Sequence, residues 1–229
     1  MTTKVVLAWS GGKDSALALQ RLRGDPQVEV VGLLTTFVQR YGRVQMHGVR
    51  RVLVEAQAEA LGLPLHTVWL PHQADNAHYE RAMHDALRPL QQGGVTALAF
   101  GDVSLQDVRA YREALIAPTE LTPLFPLWGA DTAALAREFL AAGFHATVVC
   151  VDPKRLSPRL VGRAYDERLL RELPDTVDPC GENGEFHTFV NAGPSFAQPL
   201  ATMVGVRREW MGHIFADLLP VAVRRLKGA

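Results

Sequence analysis

The chain has 229 residues, 48% hydrophobic and 21% charged, enough to bury a sizeable core in one large domain or in a main domain with a smaller appendage. Its 24 Lys and Arg balance 24 Asp and Glu and the pI is near 7.1, so the basic excess of a general nucleic-acid binder is missing and nucleic acid is not an expected partner. The apolar run in MTTKVVLAWS is too short for a signal-peptide core, and no stretch approaches the roughly 18 residues that cross a bilayer, so a cytoplasmic protein without a membrane partner is expected.

The first two-thirds alternate short apolar runs with helix-period patterns. Lys4–Trp9 reads as a buried strand, Ser15–Leu22 as a helix and Glu29–Leu34 as a second strand. Val49–Leu61 follows as a helix, with Gly62 just past its end and Pro64 beyond. Leu65–Leu70 is a third strand, Ala77–Leu90 an amphipathic helix closed by Gly93 and Gly94, and Ala97–Phe100 a fourth strand. Asp107–Ile116 is a helix, Leu121–Phe125 a fifth strand weakened by its proline, Thr132–Ala142 a helix and Ala146–Val151 a further strand. The alternation predicts an α/β fold, a mostly parallel sheet of five or more strands sandwiched by helices through right-handed crossovers.

After about residue 152 the pattern changes. Val161–Leu173 still looks helical, Asp175–Ser195 is rich in Gly, Pro, Asp and Asn, and Met203–Val206 and His213–Leu219 are β-type runs around a turn region, Arg207–Gly212. Residues 1–152 are therefore expected to form the main domain, and 153–229 a smaller α+β portion against the carboxyl edge of the sheet, with Lys227–Ala229 a frayed tail. A homodimer is plausible for a chain of this size, with 201–206 and 213–219 as candidate intersubunit edges.

The chemistry concentrates in two segments. The first is strand, then SGGKDS (Ser10–Ser15), then helix. It is neither the Walker spacing G-x-x-x-x-G-K-[ST] nor the dinucleotide pattern G-x-G-x-x-G. Gly11 and Gly12 permit close backbone approach, and successive N–H groups with the positive helix end form an anion cradle. Ser10 and Ser15 add hydroxyls and Lys13 a mobile cation, while Asp14 can hold Mg²⁺ or cap the helix. The second is GENGEFHT, Gly181–Thr188. Glu182 and Glu185 are suited to bind ammonium, act as general base or hold Mg²⁺, and Asn183, His187 and Thr188 offer neutral donors and acceptors. The plainer alternative is a polar turn, GENG, leading into a strand, FHTFV.

Other positions are open between two roles. Gly101 and Asp102 end a central strand, where open α/β sheets bind ligands, or they simply terminate it. Arg109 can face a cleft or solvent, Trp128 a substrate or its own packing, and His47 a substrate or a helix entry. Arg40, Arg43, Arg50 and Arg51 form either a solvated face or a receiver for an acidic or phosphorylated substrate. Cys150 reads as core. Cys180 has no paired cysteine of the kind that sulfur-carrying enzymes use.

SGGKDS resembles the PP-loop of the ATP pyrophosphatases, the adenine nucleotide alpha-hydrolase-like (HUP-type) superfamily. The resemblance implies cleavage of ATP between the α and β phosphates, with the loop holding the departing pyrophosphate. FGDV (Phe100–Val103), the helix bearing Arg109, Tyr111 and Arg112, PLW (Pro126–Trp128) and DPCGENGEFHTFV (Asp178–Val190) together look like the diphthine–ammonia ligase family, over roughly residues 3–200. That likeness implies an AMP-forming ligase that adenylates a carboxylate, borne on a small molecule or a protein, and amidates it with ammonia, using ATP and Mg²⁺. By the same resemblance Lys13, Asp14, Glu182 and Glu185 are catalytic. Residues 10–15 with Gly101 and Asp102 bind the nucleotide, and His47, Arg109, Trp128, Asn183, His187 and Thr188 contact the substrate. The abundance of Ala, Leu, Arg and Pro suggests a GC-rich bacterial genome, in which the acceptor would be another carboxylate, as in cofactor metabolism or cobalamin salvage. A tRNA-modifying PP-loop enzyme and a non-catalytic adenine-nucleotide sensor are the readings from other classes.

Overall fold

A computed structural model describes residues 2–221. The expected frayed tail, Lys227–Ala229, lies outside the described residues. Strand β1 (Thr3–Ala8) is followed by α1 (Lys13–Gly24), β2 (Val28–Val38), the two-residue β3 (Arg43–Val44), α2 (Arg51–Leu61), β4 (Leu65–Leu70) and α3 (Asn76–Gln92). Then come β5 (Ala97–Ala99), α4 (Gln106–Ile116), β6 (Thr122–Leu124) and α5 (Thr132–Ala141).

Five of these strands pair in parallel, in the order β4–β2–β1–β5–β6, with β3 antiparallel on the end of β2. Val5, Val6 and Leu7 of β1 are all fully buried, as a central parallel strand covered on both faces requires. On one face pack Leu17, Leu53, Val54, Leu135 and Phe139 from α1, α2 and α5, and on the other Met83, Leu87, Leu115 and Ile116 from α3 and α4. The order reverses between β1 and β5, so the crevice at their carboxyl ends is the position where an open α/β sheet takes its ligand.

The rest forms a second sheet. Its strands are β7 (His145–Val151), β8 (Ala164–Tyr165), β9 (Phe186–Ala192), β10 (Thr202–Trp210) and β11 (His213–Pro220), with the short helix α6 (Glu167–Glu172) between β8 and β9. All its pairings are antiparallel, β7 lying between β9 on one side and β8 and β11 on the other. The run Ala146–Val151, expected as one more strand of the parallel sheet, is thus the centre of this antiparallel one. An apolar run buried on both faces reads the same in either arrangement.

Two further expectations are corrected. Val161–Leu173 is not one helix, because only Glu167–Glu172 is helical and Ala164–Tyr165 pairs with β7. The apolar residues Val161, Tyr165 and Leu169, four apart, are all buried, so the spacing mimics a helix face. The turn in the last hairpin is Met211–Gly212 alone, and Arg207–Trp210 continue β10. One core joins the two sheets, since Val148, Tyr165, Phe186 and Phe189 cluster with Leu17, Leu53 and Phe139.

Candidate functional site

A cleft of about 530 Å³ opens at the β1/β5 switch point. From the parallel sheet it is lined by Ser10, Lys13, Asp14, Ser15, Gly101 and Asp102, from the turn before α2 by His47, and from the second sheet's loop and strand by Glu182, His187 and Thr188. The structure thus brings the two chemical segments of the sequence to one place.

The loop after β1 is fixed from behind. Gly11 has φ +82°, and a Cβ there would lie 2.7 Å from Gln57 Oε1, so the position excludes side chains. Gln57, fully buried on α2, donates through Nε2 to Gly11 O at 3.0 Å and to Val190 O at 2.8 Å, and accepts from Trp9 Nε1 at 2.9 Å. Gly12 precedes α1 without a side-chain cap, and a Cβ on it would crowd His47 Nε2 and Thr188 O at 3.2 Å. Helix α1 starts at Lys13, two residues earlier than expected, so Asp14 lies inside the first turn and does not cap it. Gly101 packs against this turn, 3.1 Å from the Asp14 carbonyl carbon if a Cβ is added.

Lys13 is almost wholly buried. Its backbone N–H donates to Thr188 Oγ1 at 3.1 Å, and its Nζ donates to both Asp14 oxygens, at 3.0 and 2.9 Å, and to Cys180 O. Burial opposes its charge, but its neighbours, the Asp14 carboxylate first among them, outweigh burial and raise the pKa above the ordinary value. Lys13 is a cation held in place.

Glu182 bridges the two halves of the cleft, its Oε1 accepting from the N–H groups of Val103 at 3.1 Å and Ser104 at 2.9 Å. Burial raises its pKa against the pull of those two amides, with Asp14 adding to the rise. Asp102 is likewise raised by burial, opposed by Arg112. His47 and His187 lie against each other, with ring centroids 4.4 Å apart and planes tilted by 35°. Burial drives His47 down to about 4 and His187 well below its ordinary value, with Lys13 repelling the proton on each. Both rings are neutral at physiological pH.

Four expected residues stand elsewhere. Glu185 is fully buried beneath the loop, accepting from Asp178 N at 3.2 Å, Asn183 N at 3.0 Å and Asn183 Nδ2 at 3.1 Å, with Arg155 at 3.4 Å. Glu185 and Asn183 organise the GENG turn and do not line the cleft. Arg109 pairs with Glu113 at 2.7 Å and stacks on Phe125 and Trp128, at 4.9 and 4.7 Å to the ring centroids, so it and Trp128 pack against each other outside the cleft lining. The arginine that enters is Arg112, one turn on. It meets Tyr79 Oη at 3.0 Å and Asp102 Oδ2 at 3.4 Å, and lies over the Phe100 ring. The arginine at that position was visible in sequence, but the helix phase that aims it was not. Gln57 carried a clearer signal, a polar residue on an apolar helical stripe.

Cys180 donates through Sγ to Thr132 O at 3.3 Å, and burial pushes its thiol up to about 12. It is a protonated structural group rather than a nucleophile. Cys150 is core, as expected. No helix among the described residues is long and apolar enough to cross a membrane.

Comparison with known proteins fits this geometry. Residues 3–117 match the family model of the diphthamide synthase N-terminal domain, and residues 131–218 that of the diphthamide synthase C-terminal domain. A diphthine–ammonia ligase of Danio rerio is 29% identical over 164 residues, 64% of this chain and 64% of its own length. One of Rattus norvegicus is 27% identical over 98% of this chain and 91% of its own. A solved structure from Methanocaldococcus jannaschii, described as a predicted subunit of tRNA methyltransferase, covers 84% of this chain and 98% of its own at 18% identity and TM-score 0.45, a likeness too slight to argue from. The two domain matches take in the PP-loop and the GENGEFHT loop alike, and the chain belongs to the diphthamide synthase family.

Proposed function

We propose that this chain is an ATP-dependent, AMP-forming ligase that adenylates a carboxylate and converts it to an amide with ammonia. The observation that carries the reading is the convergence of a buried, caged lysine at the head of α1 with Glu182, brought from the other sheet into the same cleft. The family match and the names of the relatives support it.

In this reading the acceptor carboxylate oxygen attacks the α-phosphorus and pyrophosphate leaves. Lys13, the loop amides and the positive end of α1 stabilise the charge that develops on it. Ammonia then attacks the acyl carbon, AMP leaves and one proton is lost. Glu182 stands where it can accept a hydrogen bond from the incoming ammonia and take that proton, its raised pKa suiting a general base. His47 and His187, neutral at working pH, offer hydrogen bonds to the adenylate without adding charge. Thr188 fixes Lys13, and Gly101 and Asp102 border the nucleotide.

Asp14 is a hard carboxylate facing the cleft, with both oxygens already accepting from Lys13, so it could hold a magnesium ion only by sharing them with that ammonium. Among the described residues no three His, Cys, Asp or Glu side chains converge on a metal by themselves, so most ligands of such an ion would be phosphate oxygens and water. Magnesium would supply charge neutralisation at the leaving pyrophosphate.

The acceptor is a carboxylate on a small molecule or a protein, and diphthine is the candidate that the relatives' names provide. The protein is expected to work in the cytoplasm. The test is AMP and pyrophosphate release across a panel of carboxylates with ammonium, beside Lys13→Ala. The reading holds if release requires a carboxylate and disappears in the variant. It fails if Lys13→Ala leaves ATP binding and turnover unchanged.

A further inference from the structure

The last hairpin, β10 and β11, contributes no residue to the lining of the catalytic cleft among the described residues. It nevertheless grips the turn that puts His47 there. One face of the second sheet carries His187, Cys150 and Phe215 in a row across β9, β7 and β11, because His187 pairs with Cys150 and Cys150 with Phe215. Asp217, two residues on, shares that face, while Ile214, Ala216 and Leu218 alternate to the other one, into the core.

This face meets the turn at three points. His187 lies against the His47 ring. Phe215 covers Gly48, where φ is +67° and an added Cβ would come within 2.7 Å of the ring, so the bare backbone is the contact surface. Asp217 accepts from Arg43 Nη2 at 2.9 Å and from Arg50 Nε and Nη2 at 2.8 and 2.7 Å, and Arg43 donates onward to Gly48 O at 2.7 Å.

Arg43 and Arg50 are the two ends of the turn, and their backbones pair as an antiparallel bridge. Two like charges therefore stand side by side, which pushes the base of the turn apart unless an opposite charge joins them. Asp217 is that charge. It offsets one of the two cations and gives both guanidiniums a common acceptor. Arg208 and Glu209 border the same recess with opposite charges, and neither joins these ion pairs among the described residues. The turn closes its own base through Val44 N–H to Val49 O at 2.9 Å and Gly48 N–H to Val44 O at 3.0 Å. Its tip is less favourable, since Met46 is 57% exposed and takes φ +65°, a conformation that disfavours any residue with a side chain.

We infer that Asp217 and Phe215 are positioning residues for His47, setting from outside the cleft where its ring stands beside Gly12 and against His187. The inference rests on the reading of His47 as a group that contacts the adenylate, and it makes the C-terminal hairpin a support of the catalytic cleft. The groups around the ring are His187 from β9, Lys13 at the head of α1, Gly12 from the loop before it and Gln45 from its own turn.

The test follows the full chain, histidine-labelled and free of nucleotide, by NMR through a pH titration, with the His47 signal assigned from His47→Gln. Asp217→Asn and Phe215→Leu should each release the ring toward water and raise its midpoint from about 4 by at least about 1 pH unit, toward that of an ordinary histidine. For Asp217→Asn the direction is diagnostic, because removing a carboxylate without moving the ring lowers the midpoint of a nearby imidazole. Ile116→Val, a core truncation on the opposite face of the parallel sheet, should leave the His47 signal where it is. In carboxylate-dependent AMP release each positioning variant should lose about tenfold, and the His47→Gln/Asp217→Asn double variant no more than His47→Gln alone. A midpoint that stays or falls in either folded variant overturns the inference. So do an equal rise in Ile116→Val, and additive losses in the double variant. Failure of the ligase reading appears instead in the nucleotide titration of Lys13→Ala, on which the ring signal does not depend.

Discussion

The hydroxyl of Thr188 accepts the backbone N–H of Lys13 at 3.1 Å, joining β9 to the first turn of α1 across 175 residues of sequence. A second tie, Val190 N–H to Gly11 O at 2.8 Å, lies beside it. The nucleotide loop of the first sheet is therefore shaped by a strand of the second. Thr188→Val keeps the shape of the side chain but leaves the Lys13 amide buried and unpaired, which costs about 1–3 kcal/mol. The expected outcome in urea denaturation is that loss, with weaker ATP binding by calorimetry, and Thr188→Ser restores both. Unchanged stability with Thr188→Val would show that the bond contributes nothing.

Lys13 is charged over the whole working range, because Asp14 and its neighbours outweigh burial and raise its pKa. A pH–rate profile of AMP release should therefore carry no limb from Lys13. Lys13→Arg is expected to behave like Lys13→Ala, since the guanidinium is broader and the ammonium fits a closed cage of Asp14 and Cys180 O. Losing one preorganised charge at the leaving group costs about 10²–10³ in turnover. Full activity of Lys13→Arg would contradict the cage.

His47 and His187 give the fold a pH dependence of definite sign. Both are depressed in the folded state, His47 to about 4, while unfolded histidine titrates near its ordinary value. As pH falls below about 6.5, the unfolded chain takes up protons that the native one refuses. Stability is thus fully present above that pH and declines as pH falls toward 4, by up to about 1.4 kcal/mol per pH unit for each ring. Asp102 and Glu182, raised by burial, act in the opposite sense, so the comparison must be made against a variant. Replacing both histidines by glutamine should flatten the slope between pH 6.5 and 5 in denaturation experiments. An unaltered slope would place its origin elsewhere.

Much of this was legible in the chain. Helix α2 ends at Leu61 and is closed by Gly62 at φ +67°, the left-handed cap that its sequence announces. Strand β4 falls at Leu65–Leu70, because its apolar run is bounded by Pro64 and Pro71. The second sheet was hidden because its pairings join distant strands, such as β7 to β9 and β11, and nothing local encodes them. Glu182 and Glu185 looked equivalent for the same reason. Only the tertiary fold decides that one faces the cleft and the other sinks beneath the turn.

Asp217 fastens the β10–β11 hairpin to both ends of the turn that carries His47, through Arg43 and Arg50, and Arg43 also donates to Gly48 O at 2.7 Å. The side chain is 11% exposed, and those two arginines hold its pKa at about 2, with burial opposing. A depressed carboxylate stabilises the fold above its unfolded pKa, and the contribution is lost as pH falls toward 2. Because both arginines are partly exposed, the expected cost of Asp217→Asn at pH 7 is about 1–2 kcal/mol rather than that of a fully buried pair. The deficit relative to the parent should shrink with acidification in thermal melts. A deficit that stays constant from pH 7 to pH 3 would mean that shape, not charge, is what Asp217 contributes.

Glu182 and Glu185, three positions apart, should separate cleanly when each is changed to glutamine. Glu185 is fully buried, with Asp178 N, Asn183 N and Asn183 Nδ2 all donating to it, so Glu185→Gln puts an amide NH₂ among donors. Stability should fall by about 1–3 kcal/mol, with any activity loss following from a disordered turn. Glu182 keeps only Oε1 engaged, by Val103 and Ser104, and a glutamine carbonyl can accept both bonds. Glu182→Gln should therefore leave stability within about 0.5 kcal/mol of the parent and remove the base, lowering amide formation by about 10²–10⁴. The adenylation half-reaction, followed as carboxylate-dependent exchange of pyrophosphate into ATP, should survive in Glu182→Gln. If exchange is lost along with amide formation, Glu182 serves the nucleotide rather than ammonia. If Glu185→Gln keeps its stability and loses only turnover, the roles drawn for the two carboxylates are reversed.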